Sequence, residues 1–260
     1  MKKHLILIFA ALLLVSLTAC GANTEEKYLQ TSVTQEYIGK LILRSESVYD
    51  ETGSQTAFIQ YRDGVEISRV EYTHGENEII GTITQNGQTG SLRQKYEKDD
   101  AGNITKLEMY LDDVLHSVTE SAYDANGNIL NSTQKTISNG SEITTSTAYV
   151  YDAAGNPIRV TYEFDGVGTV TENSYDSAGK LVSAVTCDLL GHLTKREEHS
   201  WNETGAELVS TYNPAGDLIS TTAHTYDEAG NVLTSETYDP EGNPVQRTIY
   251  TYQKFNIPIK

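Results

Sequence analysis

Short runs rich in Val, Ile, Thr, Tyr and Ser alternate along the chain with tight clusters of Gly, Asn and Asp. Beyond residue 20 no stretch carries the 3.6-residue apolar period, with caps, that a helix needs. The clusters include Glu51-Thr52-Gly53, Asp63-Gly64, Asn86-Gly87, Asp112-Asp113 and Asp165-Gly166, and end with Glu241-Gly242. They recur about every twelve residues, the interval of short antiparallel strands joined by tight turns. Counting these tips predicts an all-β protein: an elongated, twisted antiparallel β-meander of about 17 short strands.

One unit repeats with little change. Tyr226-Asp227-Glu228-Ala229-Gly230-Asn231-Val232-Leu233 has counterparts beginning at Tyr123, Tyr151, Tyr175 and Tyr238. Asp suits the first position of a type I turn, and the Gly after it supplies a left-handed residue. That geometry sets Asp227 opposite Asn231, and Tyr226 opposite Val232 on one face. It likewise pairs Tyr123 with Ile129, Tyr151 with Pro157, Tyr175 with Leu181 and Tyr212 with Leu218. Leu130, Ile158, Val182, Ile219 and Leu233 are then assigned to the other face. Both faces are partly apolar near the tips, so the sheet is expected to coil and wrap one face inward. The period is double: Tyr151, Tyr175, Trp201, Tyr226 and Tyr252 follow at 24, 26, 25 and 26 residues. Successive tips therefore fall on opposite edges of the sheet.

Composition sharpens this picture. Tyr contributes 17 residues and Phe only 4, which predicts a thin, half-wet core. The formal charge of −17 becomes −19 if Lys2 and Lys3 leave with the leader described next. Such an acidic surface argues against a nucleic-acid partner.

Lys2 and Lys3 precede an apolar run from Leu5 to Leu17, too short to span a membrane by preference, followed by Leu17-Thr18-Ala19-Cys20. The last four residues resemble the lipobox of bacterial lipoproteins. The resemblance implies that 1–19 is a signal peptide and that Cys20 becomes the lipidated N-terminus. It places the chain outside the cytoplasm, held to the cell or outer membrane through that lipid. A lipidated Cys20 leaves Cys187 without a disulfide partner, and Cys187 stands where other copies carry Tyr. Residues 20–35 read as a polar tether and 36–260 as one β domain, with the best repeats over 96–252.

Tyr-Asp-x-x-Gly-Asn with an aliphatic pair resembles the YD repeat of Rhs-type proteins, and Asp239-Pro240-Glu241-Gly242 resembles its Asp-Pro-x-Gly variant. In that family such strands wind into a spiralling β-sheet that large members close around a toxin. This chain is expected to be too short for such a cargo, so that function is not carried over. Cell-surface contact or carbohydrate binding is the compatible implication.

Catalytic signals are sparse. His74, His116, His192, His199 and His224 form no metal-binding pattern, and no cofactor is expected. No Gly-x-Ser-x-Gly elbow occurs, and no pair of carboxylates stands out for a hydrolase acting on polysaccharide. Asp124, Asp152, Asp176 and Asp227 read as turn caps rather than calcium ligands. The candidate ligand surface is aromatic, formed by Tyr151, Tyr175, Trp201 and Tyr226 for a glycan or a partner protein, against the plainer role of packing the sheet. The expectation is a non-catalytic binding or spacer module, with a secreted polysaccharide hydrolase as the alternative.

Overall fold

The structure, a computed structural model, describes residues 24–258 apart from 40, 139 and 204. The expected signal peptide over 1–19 and Cys20 lie outside the described residues. Eighteen antiparallel strands form one sheet, each paired with the next, and β18 (Pro244–Pro258) pairs back with β1 (Thr24–Tyr37). The sheet is thus a closed barrel. The all-β antiparallel character is as expected, whereas the elongated, twisted meander of about 17 strands is corrected to a closed ring of 18. Closure leaves no unpaired edge strand, the usual hazard of a long β-sheet. The expected tether over 20–35 is also corrected, because β1 already begins at Thr24. Its second half, from Ser32 to Tyr37, pairs on both sides, with β18 and with β2 (Leu41–Tyr49).

The register gives the barrel its size. Following paired residues once round the ring returns to β1 displaced by about 20 residues, the shear of the barrel. For 18 strands this sets a tilt of about 40° and a backbone radius of about 16 Å, wide enough to leave a lumen.

Tight turns occupy both rims. Asp50, Asp99, Asp124, Asp152, Asp176, Asn202 and Asp227 open three-residue loops at one end, which we call rim A. In each, the N–H of the Gly donates to the carbonyl of the residue that opens the loop, as from Gly230 to Asp227 at 3.1 Å. Rim B, the other end, also holds two-residue turns with left-handed pairs, as at Asp63-Gly64 and Asp165-Gly166. The predicted pairs Tyr226/Val232, Tyr151/Pro157, Tyr175/Leu181, Tyr123/Ile129 and Tyr212/Leu218 are all present.

Gly230 has φ +84°, as the loop requires. Gly230→Val should cost about 1–3 kcal/mol in a urea melt, and Glu228→Val, at an exposed turn position, much less. Equal midpoints for the two variants would mean the left-handed residue does not set this turn.

One face of the wall is more crowded than the other. Val70, Ile83, Leu92, Ser117, Ala184, Thr186, Glu207, Val209 and Thr248 are buried on the face that carries Tyr151 and Tyr226. Side chains converge inside a curved wall and diverge outside it, so this is the inner face. Ala57 and Ile59 are exceptions, buried on the outer face, where the ladder pairs Ile59 with Glu46 and Arg69. The tightest packing is inside, where Tyr72, Met109 and Leu111 lie against Val70, Ile83 and Leu92.

Three-residue loops of the same kind point their Tyr to opposite faces at the two rims. The next strand lies to the right of the ascending one at one rim and to its left at the other. A turn of fixed chirality can serve both rims only by turning over, which exchanges inside and outside. Tyr226 therefore points in and Tyr212 points out.

Candidate functional site

The inner face at rim A carries an aromatic collar. Every even-numbered strand from β2 to β18 brings one ring there: Tyr49, His74, Tyr96, Tyr123, Tyr151, Tyr175, Trp201, Tyr226 and Tyr252. Most of these rings lean along the wall and bond the preceding strand or the tip just before it. Tyr151 donates its hydroxyl to the Ile129 carbonyl at 2.9 Å, Tyr123 to Ile104 at 2.8 Å and Tyr175 to Pro157 at 3.2 Å. Trp201 Nε1 donates to the Leu181 carbonyl at 3.1 Å, and His74 Nε2 lies 2.6 Å from the Gln55 carbonyl oxygen. A ring tied at its polar tip to the wall runs along it rather than projecting straight into the lumen. Burial raises the hydroxyl pKa of Tyr123, Tyr151 and Tyr175 above the usual phenol range.

The four aromatic residues singled out from the sequence thus share one surface. Tyr149 joins them, stacked on Tyr151 with ring centroids 6.1 Å apart, and Trp201 stacks on Tyr226 at 5.8 Å. Their polar tips, however, are already used inside the wall. A ligand would meet ring faces and the Thr and Ser hydroxyls between strands, such as the Thr171/Thr186 and Thr222/Thr237 pairs.

At Trp201 the repeat is broken. Glu207 fills the position that Pro157 and Leu181 occupy in other copies, and only 8% of it is exposed. His199 Nδ1 lies 2.7 Å from Glu207 Oε1, and the Tyr226 hydroxyl donates to Oε2 at 2.6 Å. Burial, then this bond and the carboxylate charge, push the Tyr226 hydroxyl far above its ordinary range. The sequence reading named His224, Trp201 and Tyr226 but missed Glu207. The signal available was a carboxylate standing in an aliphatic column.

Outside, the wall is charged. Arg159–Glu172, Arg196–Glu198 and Arg247–Glu236 are ion pairs on the outer face, and Arg44 pairs with Glu46. The outward Tyr residues of rim B join this girdle. Arg93 lies over Tyr110 at 4.8 Å and Arg196 over Tyr212 at 4.7 Å, while Tyr238 donates to Glu236 at 2.7 Å.

An open cleft of about 390 Å³ is lined by Glu76, Glu78, Glu97, Glu108, Lys95, Lys106 and Tyr96. Lys106 bonds Glu108 at 2.9 Å and Glu97 at 3.4 Å. That lysine and the Tyr110 hydroxyl hold Glu108 below the usual carboxylate range, the wrong direction for a general acid. The turn aspartates are spent locally: Asp124 accepts from Asn126 N, Asn128 N and Asn128 Nδ2. These bonds, the Asn128 side chain's first, lower its pKa. Among the described residues no group of three or more His, Cys, Asp or Glu is placed to hold a metal ion. Cys187 is a half-buried free thiol paired with Leu193.

Fold and site together define a closed 18-stranded barrel with an inward aromatic collar and a charged exterior. No family model matches the chain, and no curated protein matches it. Among solved structures it is similar to a porin-like protein from Bacteroides uniformis, at 9% identity and TM-score 0.49, covering 87% of this chain and 98% of that one. It is also similar to a TcdB2–TccC3–Cdc42 complex at 13% identity, covering 76% of this chain, with TM-score 0.28. A TcdB2–TccC3 structure without the hypervariable C-terminal region matches at 12% and TM-score 0.26, covering 82%. The chain spans only 14% and 17% of those two longer chains. The barrel assignment rests on the pairing of its own strands.

Proposed function

We propose that the protein is a non-catalytic glycan-binding barrel of the cell envelope, held at the membrane by lipid on Cys20 and bathed in water. The observation that carries the binding role is the collar. Flat aromatic faces suit the apolar faces of sugar rings, and neighbouring collar positions recur every two strands, about 9–10 Å apart. A repeating surface of this kind fits a repeating polymer better than a single small ligand.

The charged girdle supports a position outside the bilayer rather than across it. An Arg or Lys facing lipid at the bilayer midplane would cost about 2–4 kcal/mol, and such pairs recur around the outer wall. The start of β1 and the end of β18 lie together at rim A, where Thr24 pairs with Pro258. Cys20 precedes that rim by four residues, so a lipid there would hold rim A close to the membrane, with rim B outward.

Two measurements test these points. On a glycan array probed with the full chain in detergent, Tyr175→Ala should weaken binding about tenfold, while Tyr175→Phe, which keeps the ring, should not. No glycan bound at all, or equal loss in both variants, would remove the binding role. Detergent partitioning tests the anchor: wild type should enter the detergent phase and Cys20→Ala the aqueous phase. Identical partitioning of the two would dismiss lipidation at Cys20.

A further inference from the structure

The broken repeat places one carboxylate among three groups that compete for it. Glu207 on β15 (Glu207–Tyr212) accepts from Tyr226 on β16 (Leu218–Tyr226) and bonds His199 on β14 (Leu193–Trp201). His224 is its cross-strand partner in the ladder with β16. The remaining ring nitrogens, His199 Nε2 and His224 Nδ1, are buried without a hydrogen-bond partner. β13 (Leu181–Asp188) brings Ala184 and Thr186 inward, and β17 (Val232–Tyr238) sets Ser235 opposite His224. β14 itself carries Glu197 inward two residues before His199, opposite Ala184 and ion-paired with Lys195 at 2.9 Å. The Lys180 ammonium lies 4.6 Å from the centre of the Trp201 ring at the mouth.

With both imidazoles neutral the cluster is self-consistent. His199 donates from Nδ1 to one carboxylate oxygen, Tyr226 donates to the other, and each orphaned nitrogen can be an acceptor, which is the cheaper group to leave unmet. Protonation changes this. Each imidazolium carries two N–H donors, so His199 Nε2 and His224 Nδ1 would become donors buried without acceptors. An unmet buried donor is costly, and more so when charged. Glu207 cannot serve two imidazoliums and a phenol within a closed wall, and the neighbouring Glu197 is already paired with Lys195. Histidine exchanges its proton between about pH 5 and 8, so this conflict falls in an ordinary environmental range.

We propose that His199, Glu207, His224 and Tyr226 form an acid-operated latch in the collar. At neutral pH the latch holds Tyr226 against Trp201. On acidification the histidines draw Glu207 away from the Tyr226 hydroxyl, and the stack opens toward the lumen. The inference stands on the wall's geometry and does not need the collar to bind glycan.

Trp201 is the sole tryptophan of the chain and stacks on Tyr226 of the latch, so its fluorescence reports it directly. The full chain in detergent is titrated from pH 8 to pH 5, following emission and acrylamide quenching. Wild type should red-shift reversibly as the pH falls, with quenching rising roughly twofold or more. His199→Gln/His224→Gln should show no transition. The single variant His224→Gln, whose ring makes no bond in the cluster, should blunt it and guards against a misfolded double variant. Glu207→Gln should expose Trp201 already at pH 8, and His116→Gln, on β8 (Val114–Tyr123), should behave as wild type. A wild-type signal that stays flat over this range overturns the latch, as does a transition that survives loss of both histidines.

Discussion

Leu92→Ala should lower the unfolding free energy by about 2–4 kcal/mol, among the largest costs of any single truncation in this wall. Leu92 is 1% exposed and packs with Val70 and Ile83 in the densest part of the inner face. What makes room for it is its cross-strand partner Gly81. A Cβ built on Gly81 would lie 3.1 Å from Val70 Cγ1 and 3.3 Å from both Leu92 Cβ and Cδ2. Gly81→Ala alone should therefore destabilise, by about 1 kcal/mol, because well-packed neighbours must give way. Placed on Leu92→Ala it should instead restore part of the loss, since the new methyl group enters the vacated space. Urea melts of the four proteins close the cycle. Additive costs would mean that Gly81 and Leu92 are not partners in one packed layer.

Most of the turn chemistry was legible because it is local. Asp227, Gly230 and Asn231 carry their geometry within five residues, and the Tyr226/Val232 register follows from it. Closure was not legible in that way. It depends on the pairing of Thr24–Tyr37 with a strand more than two hundred residues later, and the polar, aperiodic look of β1 suggested a tether. Its alternation is weak because Thr31 to Tyr37 are half-buried on both faces. Nor does the motif say which face its Tyr takes, because that depends on strand direction within the ring. The aromatic site was half legible. Trp201 and Tyr226 stood out as large rings at a fixed period, whereas Glu207 looked like one of many acids in an acidic chain. Its meaning comes from the neighbours that bury it, His199 and Tyr226, eight residues before it and nineteen after.

Ile249→Pro tests the seam that turns a sheet into a barrel, and it should cost about 3 kcal/mol or more. Ile249 lies on β18 opposite Thr34 of β1 on one side and Thr234 of β17 on the other. Alternate residues of a strand bond to alternate neighbours. The Ile38 N–H donates to the Val245 carbonyl, so Val245, Arg247 and Ile249 face β1, while Thr248 faces β17. If β18 were the edge of an open meander, the Ile249 N–H would point to water and proline would be tolerated there. In the closed ring that N–H belongs to the β1–β18 ladder, and its loss frees two long edges at once. Freed edges invite pairing between chains, so the variant should also self-associate in sedimentation. Thr248→Pro is the comparison, since it breaks the ladder to β17 whether or not the ring closes. A silent Ile249→Pro beside a damaging Thr248→Pro would show that β1 and β18 do not meet in solution. The lumen, the inward-facing collar and the shared position of both chain ends at rim A would then have to be abandoned together.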